Sequence, residues 1–439
     1  MTNRNRFETG RRAFLESAAV ALAGAVAKGQ NASDAKPIRI GVVGTGARGN
    51  YHLSALAKMA EQGEPVEIAA VCDIYQPRLE RAETRFKARG FRNSADMLRD
   101  VQLDAVLIAT PDRAHLYNLR EALRAGKDVY IEKPLCHWDQ FELLKEVVHE
   151  NRRQKRIVQV GSQYLADPVW EKGAGLLKTG VIGKPIHVQI PNFRNSDDGE
   201  RAMMNIDDPN AKDGVGVDWQ AFQADAPKRD FSVTRLFQWR LFMEYSGGPL
   251  TDTGPHEMCP VYKLIQPGFP SKVVATGGRL YWNHERTVPD TMDVLIQYPQ
   301  GFTVALLETF VNNQFPIEKV IRGSEGTARL TNDALEVYPM ARIPYGTRAP
   351  AIELKPSHRL LTVRGETLAA ATGTERPRIP DSTTAHIKDF LDSVRKREQP
   401  RFDLELGYTV HIPLCMAMRS HLENKAALFD PDKEQIRMS

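Results

Sequence analysis

One stretch near the N-terminus constrains the fold more than any other: Ile38-Arg39-Ile40-Gly41-Val42-Val43-Gly44-Thr45-Gly46-Ala47-Arg48-Gly49. An apolar run of strand type breaks into Gly44-x-Gly46-x-x-Gly49 and passes into a helical pattern with Leu53, Leu56, Ala57 and Ala60 on one face. Gly44 permits the tight strand-to-helix turn, Gly46 lets the backbone approach a pyrophosphate, and Gly49 lets helix and strand pack closely. The N–H groups opening the helix, around Thr45, Ala47 and Arg48, then face phosphate oxygens. A second strand, Val66–Cys72, ends at Asp73, which puts a carboxylate where adenosine ribose hydroxyls would lie. Strand, glycines, helix, strand and acid in this order predict a dinucleotide site. A carboxylate there favours NAD over NADP, because it repels a 2′-phosphate, although Arg78 is close enough in sequence to blunt that preference.

The chain of 439 residues is long enough for two or three domains. Its net charge of +4 is spread along the sequence, with no Lys/Arg block interleaved with aromatics, so nucleic acid is not an expected partner. Four cysteines, at 72, 136, 259 and 415, form no Cys-x-x-Cys, which argues against both a zinc site and a disulfide framework. No metal site is expected. Residues 1–36 read as a targeting segment and linker. Arg11-Arg12 precedes a small-residue apolar run, Ala18–Val26, ending in Ala25-Val26-Ala27. This resembles a twin-arginine export signal cleaved after Ala27, with Gly10 where such signals usually carry Ser or Thr. The run is too short to be a stable membrane anchor. The expected location is periplasmic or otherwise outside the cytoplasm.

From residue 37 to 162, strands at Ile38, Val66, Ala105, Val129 and Ile157 alternate with helical patterns. This alternation predicts an α/β fold with a Rossmann-type doubly wound parallel sheet. Ligands bind beyond the carboxyl ends of such strands, so the loops at Gly44, Asp73, Thr110 and Glu132 should converge. Residues 163–439 change character. Gly161-Ser162-Gln163-Tyr164 looks like the crossover, and residues 195–235 are polar and weakly periodic, with Trp219 and Phe222 as possible anchors. Lys272–Leu280, Thr291–Tyr298, Thr303–Phe310, Ile317–Arg322 and Thr327–Leu330 read as strands, with a hairpin at Pro299-Gln300-Gly301. The expectation is an α+β domain with an open, mostly antiparallel sheet. Residues 340–380 read as an irregular insertion, followed by helices near Thr383–Arg397 and Leu404–Glu423 that should pack back on the body.

Ala109-Thr110-Pro111-Asp112-Arg113-Ala114-His115, Gly126-Lys127-Asp128-Val129 and Glu132-Lys133-Pro134 together carry a family likeness. The segment from 38 to 161 resembles the glucose–fructose oxidoreductase and inositol dehydrogenase family (Gfo/Idh/MocA). The resemblance implies cofactor contacts at Thr110, Pro111, His115, Glu132, Lys133 and Gln163. It also implies a Lys133–Pro134 bond that is commonly cis, aiming Lys133 at the nicotinamide. The family carries an Asp-x-x-x-His motif that Asp252 and His256 match, and it uses its second sheet for substrate and often for subunit contacts, hence an expected homo-oligomer. At i and i+4 the two residues would share one helix face. Pro260 should bring a kink or a late helix start.

The chemistry requires these residue types. Oxidising a secondary alcohol sends a hydride to nicotinamide C4 and a proton to a base. Histidine holds a pKa near working pH unaided, so His256 is the expected base. Lys133 would hold the same oxygen, and Asp252 would orient the histidine or bind a neighbouring hydroxyl. Trp239, Arg240 and Tyr245 are candidates for the pocket wall by position alone. The leading expectation is an exported NAD-dependent oxidoreductase acting on a sugar, polyol or glycoside. Two others differ in class. One is a glycoside-cleaving enzyme that recycles NAD through oxidation and elimination. The other is a non-catalytic sugar sensor on the same scaffold, against which the presence of both Lys133 and His256 argues.

Overall fold

The computed structural model describes residues 36–195, 204–282, 285–331, 334–340 and 382–439, and the backbone of 361–364. The export-signal segment and nearly all of the 340–380 insertion lie outside the described residues.

The first sheet holds six strands: β1 (Ile38–Val43), β2 (Val66–Cys72), β3 (Arg89–Phe91), β4 (Ala105–Ile108), β5 (Asp128–Glu132) and β6 (Val158–Gly161). They run in the order β3-β2-β1-β4-β5-β6, all parallel. Strands covered on both faces read as continuous apolar runs, and every residue of β4 and β5 is buried. From β1 the chain winds outward to β2 and β3, then crosses back to β4 on the other side of β1. The switch point therefore falls between β1 and β4, and the loops after β1, β2, β4 and β5 open around it. Three-residue β3 carries no periodic signal and was not expected.

The second sheet has ten strands. They are β7 (Pro185–Phe193), β10 (Lys272–Gly278), β11 (Thr291–Tyr298), β12 (Phe302–Thr309), β13 (Lys319–Gly323), β14 (Gly326–Leu330), β15 (Ala334–Pro339), β16 (Leu361–Arg364), β17 (Ala427–Asp430) and β18 (Gln435–Met438). All neighbours are antiparallel except β7 with β12. Strict alternation in β11, where Met292, Val294, Ile296 and Tyr298 are buried, turns one face toward helices Val169–Lys178, Gly254–Ile265 and Leu404–Glu423. Gly301, at φ +88°, supplies the left-handed residue of the expected β11–β12 hairpin.

Two features depart from a simple division at residue 162. Helix Ser382–Lys396 returns to the first domain, where Ile387, Phe390 and Leu391 join Leu53, Leu56 and Tyr130 in one core. Helix Leu404–Glu423 crosses to the first sheet at Gly407, where an added Cβ would stand 2.7 Å from Val160. The boundary therefore divides the sequence but not the packing. The second departure is the polar 195–235 stretch, which within its described part is not an open loop. It folds as the short ribbon β8 (Lys212–Asp213) and β9 (Gly216–Val217) with helices Trp219–Gln223 and Val233–Phe237. Trp219, Phe222, Leu236, Phe237, Phe242 and Tyr245 form its own small aromatic core, joined by Tyr75 of the first domain.

Candidate active site

The converging loops line a cleft of about 1110 Å³. Gly44, Thr45, Gly46, Ala47, Arg48, Asp73, Thr110, Pro111, Glu132, Lys133 and Gln163 line it from the first domain, and Asp252 and His256 from the second. Gly49 lies behind this wall: a Cβ there would stand 1.8 Å from the Gly44 carbonyl oxygen, so the residue serves helix–strand packing. His115 also stands behind it. Its Nδ1 is 2.6 Å from the Pro134 carbonyl and its Nε2 2.8 Å from that of Thr110, so it braces two loops rather than facing the cleft.

The Glu132-Lys133-Pro134 turn is held from several sides. The Lys133–Pro134 bond is cis. The Leu135 N–H donates to His411 Nε2 at 2.8 Å, and His411 Nδ1 donates to the Gly407 carbonyl at 2.7 Å. Burial pushes both His115 and His411 down to about 4; the neutral His411 ring suits its donor and acceptor contacts, whereas a neutral His115 donates to only one of its two carbonyls. Glu132 is buried and accepts from Arg48 at 2.8 Å and faces His52 Nε2 at 2.7 Å. Burial works against this carboxylate's charge, but Arg48 and His52 outweigh it and hold its pKa well below the usual range. Glu132 thus anchors the strand end and, through Arg48, the start of the phosphate-facing helix.

Lys133 reaches across the cleft. Its Nζ donates to Asp252 Oδ1 at 2.8 Å and to the Asp252 carbonyl oxygen. An ammonium has three donors, so one remains for another oxygen. Asp252 and His256 do not share one uninterrupted helix. Asp252 closes the short helix Pro249–Asp252, Thr253 intervenes, and His256 lies in the first turn of Gly254–Ile265. That helix continues through Pro260, whose missing N–H leaves the His256 carbonyl to the Cys259 thiol at 3.5 Å. Both residues also have partners that the sequence did not name. Asp252 Oδ1 serves Lys133 and, at 3.4 Å, Arg240 Nε, while the group at His256 Nδ1 is the Ser162 hydroxyl at 2.7 Å. The Tyr164 ring packs against the imidazole with centroids 5.1 Å apart. Ser162 and Tyr164 were visible only as part of the crossover Gly161-Ser162-Gln163-Tyr164; nothing in their spacing marked them as partners of a histidine 94 residues away.

The opposite wall comes from the aromatic insertion. Met204, Asp207, Phe222, Phe237, Trp239 and Arg240 line the cleft, whereas Tyr245 is buried in the aromatic core. Asp207 accepts from Arg78 at 2.7 Å, beside the cofactor loop. Asp112, at the end of β4, also lines the cleft and is nearly inaccessible; burial pushes its carboxyl up to about 8, against the pull of Arg240 and Lys133.

These residues fit a dinucleotide. Gly44 sits at φ +88°, and a Cβ on Gly46 would come within 3.1 Å of the Arg78 guanidinium, so the cradle accepts only a bare backbone beside a cation. Asp73 already accepts from the Thr45 N–H and hydroxyl and from the Tyr75 N–H, which fixes its carboxylate at the β2 end. The cleft exceeds the 300–1,000 Å³ of most small-ligand pockets, room for a cofactor and a second ligand.

Comparison with known proteins agrees. Residues 38–162 match the GFO/IDH/MocA model of an oxidoreductase family with an NAD-binding Rossmann fold, and residues 217–329 match the GFO/IDH/MocA C-terminal domain. Inositol 2-dehydrogenase 3 of Saccharopolyspora erythraea is 25% identical over 359 residues, 81% of this chain and 85% of its own. Inositol 2-dehydrogenase of Salmonella paratyphi B is 30% identical over 161 residues, 36% of this chain, and there the match spans only 47% of the relative. A levoglucosan dehydrogenase solved with NADH and levoglucosan superposes with a TM-score of 0.64 at 17% identity, over 89% of this chain and 99% of its own, a likeness of fold. The two models together cover more than half of the sequence, and the chain belongs to the GFO/IDH/MocA family of oxidoreductases.

Proposed function

We propose that the protein oxidises a secondary hydroxyl of a sugar, polyol or glycoside, with NAD as the hydride acceptor. The observation that carries this is the meeting of Lys133 and His256 on one cleft, from different domains, beside the Gly44–Gly49 cradle. The names of the inositol and levoglucosan dehydrogenases support the substrate class. A bound nicotinamide supplies the hydride acceptor. Lys133, fixed by Asp252, donates its remaining N–H to the reacting oxygen and stabilises charge as the proton leaves. His256, held at Nδ1 by Ser162, takes that proton on its other ring nitrogen. Reduction of bound NAD by candidate sugars and polyols in a single turnover tests this reading. No reduction by any of them would count against it.

The preference for NAD over NADP rests on Asp73. Equal or tighter binding of NADP would sink it, and Asp73→Ser should weaken the discrimination. Export by the twin-arginine route rests on Arg11-Arg12 and Ala25-Val26-Ala27. Lysine at both arginine positions should trap the precursor inside the cell, and an uncleaved N-terminus on exported protein would refute cleavage after Ala27. Assembly through the second sheet is supported by Val274 and Leu295, register partners whose side chains are exposed on its open face. Leu295→Lys should lower the sedimenting mass if that face is an interface.

One observation favours the redox-neutral alternative, glycoside cleavage by oxidation and elimination. The insertion closes on the adenosine end of the cleft: the Asp218 N–H donates to the Ile74 carbonyl at 3.2 Å, and Asp207 pairs with Arg78. A cofactor held there would be slow to exchange. Release of aglycone without net NADH would establish this alternative, and mass spectrometry of the purified protein would show whether a dinucleotide is retained.

A further inference from the structure

Arg240 stands in the turn Trp239–Leu241 on the insertion side of the cleft. Its guanidinium carbon lies 4.1 Å from the centroid of the Trp239 ring, which holds the group in place. Nε is 3.4 Å from Asp252 Oδ1, a long contact to an oxygen that Lys133 already holds at 2.8 Å. Nη1 is directed at the Met204 sulfur, 2.9 Å away, a weak acceptor. Among the described residues none of its five donors is well matched to an anion, and the side chain keeps 21% of its surface exposed.

The charges in this corner do not balance. Lys133 and Arg240 share one ionised carboxylate, that of Asp252. Among the described residues the other acid facing them is Asp112, whose burial pushes its carboxyl up to about 8. Counted over those residues, one positive charge remains, on a planar fork two hydrogen bonds from the amine that would hold the reacting hydroxyl. A fork of this kind pairs in parallel with the two oxygens of a carboxylate.

Building on the dehydrogenase reading, we propose that Arg240 selects a substrate carrying a carboxylate close to the oxidised carbon, a sugar acid of the uronic or aldonic type, rather than a neutral sugar. A phosphate can pair with such a fork as well, so a phosphorylated sugar is the competing ligand that the test includes.

The test compares matched probes on the NAD-loaded protein: glucose, glucuronate and glucose 6-phosphate, and the galactose series alike. In single-turnover reduction of NAD, the uronates should exceed the parent sugars in kcat/KM by about 10- to 100-fold, the range of a charge-assisted hydrogen bond. Arg240→Met should bring that ratio toward one, mainly through KM, and Arg240→Lys should restore part of it. Unchanged melting temperature and NAD affinity identify the Met variant as folded. Equal rates for uronate and parent sugar, or a preference for the 6-phosphate, would overturn the assignment. If no probe of either charge reduces NAD, the dehydrogenase reading has failed, and calorimetric titration with the two uronates still decides Arg240. Binding lost in Arg240→Met supports the carboxylate site, and no binding to the unmodified protein refutes it.

Discussion

The two walls of the cleft are built on opposite principles. The first-domain wall consists of loops at the ends of buried parallel strands, and most of its charged groups are paired within the protein. Glu132 has Arg48 and His52, Asp73 has Thr45 and Tyr75, and the Lys133 turn is braced by His115 and His411. The insertion wall, Met204 to Tyr245, is a small aromatic core that rests on the first domain through Tyr75 and through polar contacts. Arg113, held by Asp139 of its own domain at 2.7 Å, ties it by donating to Asp225 at 3.0 Å and to the Glu244 carbonyl at 2.5 Å. The first wall has little freedom and suits a constant ligand. The second presents partly exposed groups such as Arg240 and Asp207 and suits a variable one. Position is fixed on one side and choice is made on the other.

The sharpest way to break this picture is at the seam. Lys133→Ala and His256→Ala should each lower turnover by about 10²–10⁴-fold while NAD affinity and melting temperature hold, since neither residue carries a wall. A fully active His256→Ala enzyme would end the mechanism. Asp252→Asn should cost about 10²-fold, because it strips the partner of Lys133. Ser162→Ala, removing only one hydrogen bond to the imidazole, should cost about 10-fold.

Acid should attack the first wall. His115, His386 and His411 are each pushed down to about 4 by burial, against 6.5 in the unfolded chain. A base with a depressed folded pKa contributes stability that is present above 6.5 and lost as pH falls toward 4, about 1.4 kcal/mol per unit and group. Melting temperature should drop steeply through that window. His411→Gln keeps an acceptor for the Leu135 N–H without titrating, so it should flatten the drop; an unchanged profile would show that His411 does not contribute.

The insertion wall should yield to Arg113→Met, which removes this charged tie at a cost of about 1–3 kcal/mol. Proteolysis should then begin within 204–245 before the first domain is cut; simultaneous loss of both would mean that the walls are one cooperative unit.

Asp112→Asn should shift the pH dependence in the opposite sense to the histidines. The raised carboxyl pKa means that the folded state holds a proton the unfolded chain releases above about 4, so wild-type stability falls between pH 4 and pH 8. The Asn variant should match wild type near pH 4 and melt progressively higher than it toward pH 8.

Much of the first wall was legible because its signals are local. Each of Gly44-x-Gly46-x-x-Gly49, Asp73 and Glu132-Lys133-Pro134 lies at the end of an apolar run, and a parallel sheet turns strand ends into a site by rule. The second wall was legible only in part: Trp239 and Arg240 were named by position, and they do line the cleft, but its packing was not legible. A stretch reading as a polar loop buried Trp219, Phe222 and Phe237 against one another, because aromatics spaced without a period find each other only in three dimensions.

The sequence by itself determined the kind of each sheet, the cofactor cradle and the identity of Lys133, Asp252 and His256 as the residues to watch. Tertiary structure decided their partners. Ser162 stands at Nδ1 of the histidine, Asp252 reaches Lys133 and Arg240, and His115, expected at the cofactor, holds a turn from behind together with His411. The reason is physical: local periodicity reports which way a side chain points, whereas a hydrogen bond or an ion pair depends on distances between chain segments that only the packed fold brings within 3 Å.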